Sequence, residues 1–263
     1  MLTVLPICAG AALAATGAAS IYYATYAVRS QWLGRTVWRG RADTGAVALT
    51  FDDGPAEDTE RVLDVLDTYR LRATFFMVGR QVERFPATAR RVAARGHEIG
   101  NHSYSHPVYL YRSARETRRQ LEHTQQIITA VTGMRARLAR PPCGVRTLAY
   151  FRAARALGLR TVQWDVAGFD WTRRNAAEIA RRVLGRARAG SIILLHDGDS
   201  ENKSDRRATV AALPLIIEGL RAKGLRVAPL AELLDDLPLS ADESAPVVSV
   251  AERRPRIKEQ HNA

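Results

Sequence analysis

Two adjacent carboxylates and a spaced pair of imidazoles are the first features of this chain with chemical potential. Asp52 and Asp53 stand side by side ahead of Gly54-Pro55. Neighbouring carboxylates repel, so a site that holds both usually supplies a cation. The plainer alternative is a turn, where Asp before Gly-Pro is common. His102 and His106 form His-x-x-x-His. On a helical turn, residues four apart share one face, and two imidazoles so placed grip one transition metal. The plainer alternative is a pair of partly exposed histidines. His196-Asp197 ends the most apolar run of the chain, which starts at Ser191. Arg140 opens the loop Arg140-Pro141-Pro142-Cys143-Gly144, stiffened by two prolines. Its guanidinium suits a bidentate grip on a carboxylate. Trp164-Asp165 and Asp170-Trp171 add acids beside indoles, which stack on sugars or, more commonly, pack in cores. Together these groups supply three metal ligands with an open position, a spare carboxylate, a spare imidazole and an arginine. That set equips a metal-assisted hydrolase. His97, His123 and His261 read as surface or packing residues.

The elements that must position these groups alternate between strand and helix from about residue 45 to 236. Short apolar runs at residues 46–51, 73–78, 98–101, 137–140, 159–165, 191–196 and 225–228 read as strands. Helical spacing appears around Val62, Leu63, Val65 and Leu66, around Phe85, Val92 and Ala93, and over residues 113–132, 148–157, 176–187 and 209–222. About seven βα units in one chain mean a parallel sheet with outer helices, open or closed as a barrel. The polar motifs at Asp52, His102, Arg140, Asp165 and His196 each follow a strand, where parallel folds place their active sites. No phosphate loop and no Gly-x-Gly-x-x-Gly is present, which disfavours a nucleotide enzyme.

The formal charge is +12, carried almost wholly by arginine, with Lys203, Lys223 and Lys258 as the lysines. The arginines are spread along the chain without a basic-aromatic motif, so nucleic acid is not an expected partner. The plainer reading is a positive surface tolerated for solubility and of use near an anionic envelope or membrane. Two cysteines, Cys8 and Cys143, exclude a disulfide framework and a four-cysteine zinc site. Residues 2–28 carry no charged side chain, and about 20 apolar residues suffice to span a bilayer. A retained membrane anchor is the first expectation, a cleaved signal the second and a buried helix the third. Tyr22, Tyr23, Tyr26 and Trp32 would mark the water interface. Arg29, Arg35, Arg39 and Arg41 follow the run, so the positive-inside rule points the domain to the cytoplasm, whereas a hydrolase of external substrates would face the outside. The expected division is residues 1–41 as anchor or signal plus linker, 42–236 as one catalytic domain, and 237–263 as a disordered tail.

The motifs also carry a family resemblance over about residues 42–236. Thr50-Phe51-Asp52-Asp53-Gly54-Pro55, His102-Ser103-Tyr104-Ser105-His106, Arg140-Pro141-Pro142-Cys143-Gly144, Asp170-Trp171 and Leu194-Leu195-His196 resemble, in order, the five motifs of the polysaccharide deacetylases. This is the NodB-homology group, carbohydrate esterase family four. The resemblance implies a distorted (β/α)7 TIM-like barrel and one divalent metal, commonly zinc, with cobalt or nickel as substitutes, held by Asp53, His102 and His106. It implies Asp52 as general base toward water at the metal and His196 as the acid that protonates the leaving amine. The backbone N–H of Cys143 would stabilise the oxyanion. Leu194 would shape the acetyl-methyl pocket, and Trp171 would line the substrate cleft. Arg140 would orient Asp52, and Asp170 would orient His196. Two departures bear on specificity: Cys143 stands where Tyr or Phe is usual, and Ala167 stands where an Asp is often found. A thiol of low pKa at Cys143 would be oxidisable, though an inert small residue is the simpler reading.

The expected activity is removal of N-acetyl groups from an N-acetylglucosamine-containing glycan such as peptidoglycan or a chitin-like envelope polymer. A hydrolase of a non-sugar amide or small acylated metabolite is the alternative. A non-catalytic glycan-binding protein is the third reading, disfavoured because all the ligand and acid-base positions are filled. No obligate protein partner is evident.

Overall fold

The computed structural model describes residues 4–172, 174–201 and 203–234, with side chains from residue 15 onward. An N-terminal helix, α1 (Val4–Tyr26), precedes the alternating series. The series runs β1 (Ala46–Asp52), α2 (Glu57–Thr68), β2 (Thr74–Met77), α3 (Gly79–Arg84), α4 (Pro86–Ala94), β3 (Glu98–Asn101) and α5 (Ala114–Thr132). It continues with β4 (Leu138–Ala139), α6 (Leu148–Ala156), β5 (Arg160–Thr161), β6 (Val166–Ala167), α7 (Ala176–Leu184) and β7 (Ile192–His196). It closes with α8 (Arg207–Ala222), β8 (Arg226–Val227) and α9 (Leu230–Leu233). Local chemistry marks several of the boundaries. Ser113 caps α5 by accepting from the Glu116 N–H, and Gly133 ends it at a φ of 71°. Asn175 and Glu178 form a reciprocal capping box on α7.

Every strand pairing is parallel, in the order β5-β4-β3-β2-β1-β7-β6, with β8 set against the start of β1. The sheet curls into a distorted barrel, as expected, with helices outside. Among the described residues it has eight strands, because the strand expected over residues 159–165 stops at Thr161 and a second one begins at Val166. Arg160 and Thr161 pair with Leu138 and Ala139, whereas Val166 and Ala167 pair with Ile193 and Leu194. Between them, the Gln163 N–H donates to the Val37 carbonyl at 2.7 Å. The Asp165 carboxylate accepts from Ile192 N–H at 2.8 Å and Ser191 Oγ at 3.0 Å. One extended stretch thus changes neighbours midway along its length. Asp165, expected among the polar groups that follow strands, lies instead at the entry to β7 and serves its backbone.

Alternation along each strand sorts the core. Val47, Leu49, Phe51, Phe75, Met77, Ile193 and Leu195 pack outward against Val62, Leu63 and Leu66 of α2, Leu121 and Ile128 of α5, and Leu213 and Ile216 of α8. Ala46, Ala48, Phe76, Leu138 and Ile192 point inward and meet Leu230 and Leu233 of α9, which plug the strand-entry end. Each large side chain buried this way contributes about 1.5–3 kcal/mol. On β1 the same two-residue period carries the inner face onward from Ala46 and Ala48 to Thr50 and Asp52. The exit end of the barrel therefore receives polar groups where the entry end receives apolar ones.

Residues ahead of 42 belong to this architecture. Val37 forms a parallel bridge with Val162, Gly40 N–H donates to the Gly190 carbonyl, and Arg41 N–H to the Leu233 carbonyl. Further back, the end of α1 is held by Arg146, which is completely buried. The Arg146 N–H donates to Thr25 O at 3.1 Å, its Nη2 to Ala27 O at 2.6 Å and its Nη1 to Gly144 O at 3.2 Å. Carbonyls at a helix C-terminus lack intrahelical donors, and the backbone N–H and guanidinium of Arg146 supply them. Among the described residues no helix is long and apolar enough to cross a membrane. The first half of the apolar run and the expected tail over 237–263 lie outside the residues described to the side chain.

Gly100 shows how packing disciplines the interior. It faces Phe76 across β2 and β3, and a Cβ there would lie 2.4 Å from the Phe76 ring. Gly100→Ala is expected to lower unfolding stability by about 1–3 kcal/mol through overpacking, measured as a lower urea midpoint at unchanged m-value.

Candidate metal centre and acid-base site

Asp52 is the last residue of β1 and Asp53 the first of the following turn. Asp53 has a φ of 75°, which swings its carboxylate to the same side as that of Asp52. The next position admits glycine alone, because a Cβ on Gly54 would lie 2.2 Å from Asp197 Oδ2. His102 follows β3 directly. The helical turn expected to pair His102 with His106 is absent, and residues 102–108 form a loop. Asn101 Oδ1 accepts from Ser103 N–H at 3.0 Å and Ser103 Oγ from His106 N–H at 3.1 Å. Ser103 and His106 both adopt positive φ, 67° and 56°. This hydrogen-bonded loop brings the two imidazoles to a centroid separation of 5.0 Å. Loop residues that bond their own backbone compete with helix, and here they win.

One ligand atom from each of Asp53, His102 and His106 lies within 4.8 Å of the others. Asp53 Oδ1 stands 3.5 Å from His102 Nε2 and 3.2 Å from His106 Nε2, and it is buried without a hydrogen-bond partner. His102 Nδ1 lies 2.7 Å from the Arg140 carbonyl, an acceptor, so Nδ1 carries the proton and the Nε2 lone pair faces Asp53. Burial would raise the Asp53 carboxyl, but its place among His102, His106 and His196 holds it well below the usual carboxylate range. Burial pushes His106 down to about 4, against the pull of Asp53. A neutral imidazole and an ionised carboxylate are the forms that bind a cation. One oxygen and two imidazole nitrogens fit a divalent metal with an open position.

Asp52 is buried beside this group and is held from the other side. Arg140 Nη1 donates to Asp52 Oδ1 at 2.7 Å and to Thr50 Oγ1 at 2.8 Å, while Nη2 donates to Gln163 O at 3.0 Å. The guanidinium is fully buried and lies 4.1 Å from the Phe76 ring centroid. Asp52 Oδ2, turned away from Arg140, is 3.7 Å from His102 Nε2. Across the cleft, His196 Nδ1 meets Asp170 Oδ1 at 2.9 Å. Asp170 Oδ2 accepts from the His196 N–H at 2.7 Å and from Thr209 Oγ1 at 2.8 Å. Burial disfavours the imidazolium, yet the charges of Asp170, Asp53 and Asp52 outweigh it and push His196 up to about 9. Trp171 sets its ring against His196 at 5.2 Å, edge to face, and stays 44% exposed.

Leu194 is buried on β7, two residues before His196 and in register with Thr50. Cys143 is exposed, at a φ of 54°, in a turn whose two backbone hydrogen bonds are donated by Gly144 and Val145. Loss of hydration and the charges of Asp53 and Asp52 push its thiol up rather than down, so the oxidisable low-pKa thiol is set aside. Ala167 is buried on β6 beside Leu194. His97 is a packing residue against Phe75, and His123 stacks on Tyr104. His261 lies outside the described residues.

Sequence reading missed Asp197. It is fully buried beneath the Asp52-Asp53-Gly54 turn and accepts from Thr59 Oγ1 at 2.5 Å, while Thr59 Oγ1 accepts from Ala56 N–H at 2.8 Å. Burial, together with Asp53 and Asp52, pushes its carboxyl up to about 7. The available signal was its place directly after His196. Thr59 and Thr209 gave none, because their partners are 138 and 39 residues away.

His196 makes stability depend on pH. Its folded value, about 9, lies above its ordinary 6.5, so the ion pair with Asp170 stabilises the fold fully below about pH 6.5. That contribution is lost as pH rises through about 9. NMR titration of the metal-free protein should find His196 charged at pH 7.5, and Asp170→Asn should return it toward the ordinary histidine range.

Comparison with known proteins agrees with this arrangement. The family profile described as Polysaccharide deacetylase matches residues 39–162. A peptidoglycan-N-acetylglucosamine deacetylase of Bacillus cereus is 38% identical over 192 residues, which cover 73% of this chain and 69% of the relative. A chitooligosaccharide deacetylase of Sinorhizobium fredii is 38% identical over 74% of this chain and 95% of its own length. The crystal structure of the Bc1960 peptidoglycan N-acetylglucosamine deacetylase superposes with a TM-score of 0.72 at 36% identity, covering 76% of this chain and 92% of the other. With the motifs gathered at one end of a curled parallel sheet and relatives matched at this level, the chain belongs to the polysaccharide deacetylase family.

Proposed function

We propose that the chain hydrolyses the N-acetyl amide of an N-acetylglucosamine-containing envelope glycan, with a divalent cation held by Asp53, His102 and His106. One observation carries the reading. The Asp53, His102 and His106 ligand atoms, all within 4.8 Å, are flanked by a carboxylate held on an arginine and by an imidazole held on a carboxylate. The names of the relatives share one sugar chemistry, since peptidoglycan-N-acetylglucosamine and chitooligosaccharides both present an acetamido group. Zinc suits one oxygen and two nitrogens, and cobalt and nickel accept the same donors. The cation supplies Lewis acidity toward a water and an amide carbonyl.

The residues of the chain do the rest. Arg140 donates to Asp52 Oδ1 and fixes that carboxylate in place, leaving Oδ2 to take a proton from the attacking water. His196 enters the reaction charged, because Asp170 binds its Nδ1, and its Nε2–H is the proton for the leaving amine. A carboxylate base and an imidazolium acid coexist at neutral pH because each has its own buried counter-charge. The Cys143 N–H stands as a donor for the developing oxyanion. Leu194 closes the floor where an acetyl methyl would sit, and Trp171 offers its face to a sugar ring. The uncharged run over residues 2–28 supports placement at a membrane of the cell envelope.

Acetate release is the direct test, with N-acetylglucosamine oligomers, peptidoglycan fragments and simple acetamides compared side by side. Release from the first two, abolished by a chelator and restored by zinc, cobalt or nickel, is expected. Asp52→Asn should lower kcat by about 10²- to 10⁴-fold as loss of a general base. Release from simple acetamides alone would overturn the glycan assignment in favour of a small-metabolite amidase.

A further inference from the structure

Beyond the reaction itself, the structure couples the mouth of the cleft to the N-terminal helix. Cys143 and Gly144 border the metal cluster, and Gly144 O is bound by the same buried guanidinium that binds the end of α1. Arg146 therefore ties the helix end and the catalytic loop into one unit. A second loop joins them, since Tyr111, five residues beyond His106, lies against Tyr26. No charged residue interrupts residues 2–28, and residues 15–19 and 21–23 of α1 stand exposed. Ile21 is 63% and Tyr22 65% exposed. Apolar surface this open needs a cover.

The composition around the helix end identifies the cover. Tyr22 stacks on Tyr26 at 5.2 Å, and Tyr23 meets Trp32, itself 65% exposed, at 5.1 Å. Tyr111 is exposed beside Arg112, while Arg29 lies over Trp38 at 4.7 Å and Arg35 is exposed. Tyrosine and tryptophan at the end of an uncharged run, followed by arginines, are the composition of a bilayer interface. A protein partner would call for no such order of apolar, aromatic and basic zones. We infer that this aromatic and basic collar seats the domain on the bilayer with its cleft mouth at the headgroup level, so that the preferred substrate is an N-acetylated glycan carried on a lipid. From Tyr22 to Tyr26 the helix rises by about 6 Å, which sets the cleft mouth close to the lipid surface. The substrate part of this inference rests on the deacetylase reading, whereas the seating does not.

Fluorescence quenching tests the seating without catalysis. The full chain, with Cys8→Ser and Cys143→Ser, is reconstituted in vesicles of phosphatidylcholine and phosphatidylglycerol whose headgroups carry a spin-label quencher. A fluorophore on Arg112→Cys should be strongly quenched, and one on Met134→Cys, at the entry end of the barrel, should not. Equal quenching at the two positions would overturn the seating, as would a cross-linked dimer through α1 that fails to float with vesicles. For the substrate, the unmodified chain in vesicles should act on a lipid-linked N-acetylglucosamine oligomer with kcat/KM about tenfold above that for the free oligomer, through shared confinement. The double variant Tyr22→Ser with Trp32→Ser should keep the free-oligomer rate and lose that preference. Equal kcat/KM for both substrates in the unmodified chain would overturn the lipid-carried assignment. Acetate from neither, with quenching intact, would mark a failure of the deacetylase reading and leave the seating standing.

Discussion

An ionised carboxylate in a dry interior persists only beside a fixed counter-charge, and the pairing of Asp52 with Arg140 meets that condition at the centre of the barrel. Burying the guanidinium would itself be costly, which explains how thoroughly it is surrounded. Thr50 and the Gln163 carbonyl take its protons, and Phe76 offers it an aromatic face. Those contacts come from β1, from the stretch between β5 and β6, and from β2. The ion pair thus recruits much of the barrel wall and gives it a single arrangement. Gly100 leaves room for the Phe76 ring on which the guanidinium lies.

The same logic repeats around the cleft with the signs rearranged. Asp170 holds His196 in its charged form, and the cluster of His102 and His106 holds Asp53 ionised. Asp197 pairs with no cation among the described residues; burial pushes its carboxyl up, and Thr59 hydrogen-bonds to it. Four buried carboxyl groups therefore sit close together in different electrostatic states. Environment separates them, with a guanidinium, an imidazolium, a ligand cluster and a hydroxyl as the respective neighbours. Chemistry that needs a base and an acid at one pH depends on such separation.

Much of this was legible in the sequence, for identifiable reasons. Parallel strands buried on both faces read as continuous apolar runs, and β1 and β7 did so without ambiguity. The motif residues at Asp52, Asp53, His102, His106, Arg140, Asp170 and His196 converge because all follow strands that point the same way. Legibility failed where long-range pairing overrode local pattern. Residues 159–165 look like one strand, but their two ends serve different neighbours. His-x-x-x-His suggested a helical turn, but Asn101 and Ser103 side chains bond the backbone and build a loop that achieves the same proximity. Asp165 resembled a site residue because it follows an apolar run, and the swap of partners within that run places it at the opposite end. Asp197 escaped notice because its role depends on Gly54, which is remote in sequence.

The stitching of the barrel wall by the segment ahead of β1 has a consequence for processing. Val37 fills the interval where the stretch between β5 and β6 changes neighbours, and Gly40 and Arg41 tie the entry end to Gly190 and Leu233. A proteolytic cut upstream of that segment would release a domain with an intact wall. A cut just before residue 42 would remove one of its planks, leaving the carbonyl of Thr161 and the N–H of Gln163 without their partner. Any trimming of the N-terminal segment would therefore be bounded by the architecture of the barrel.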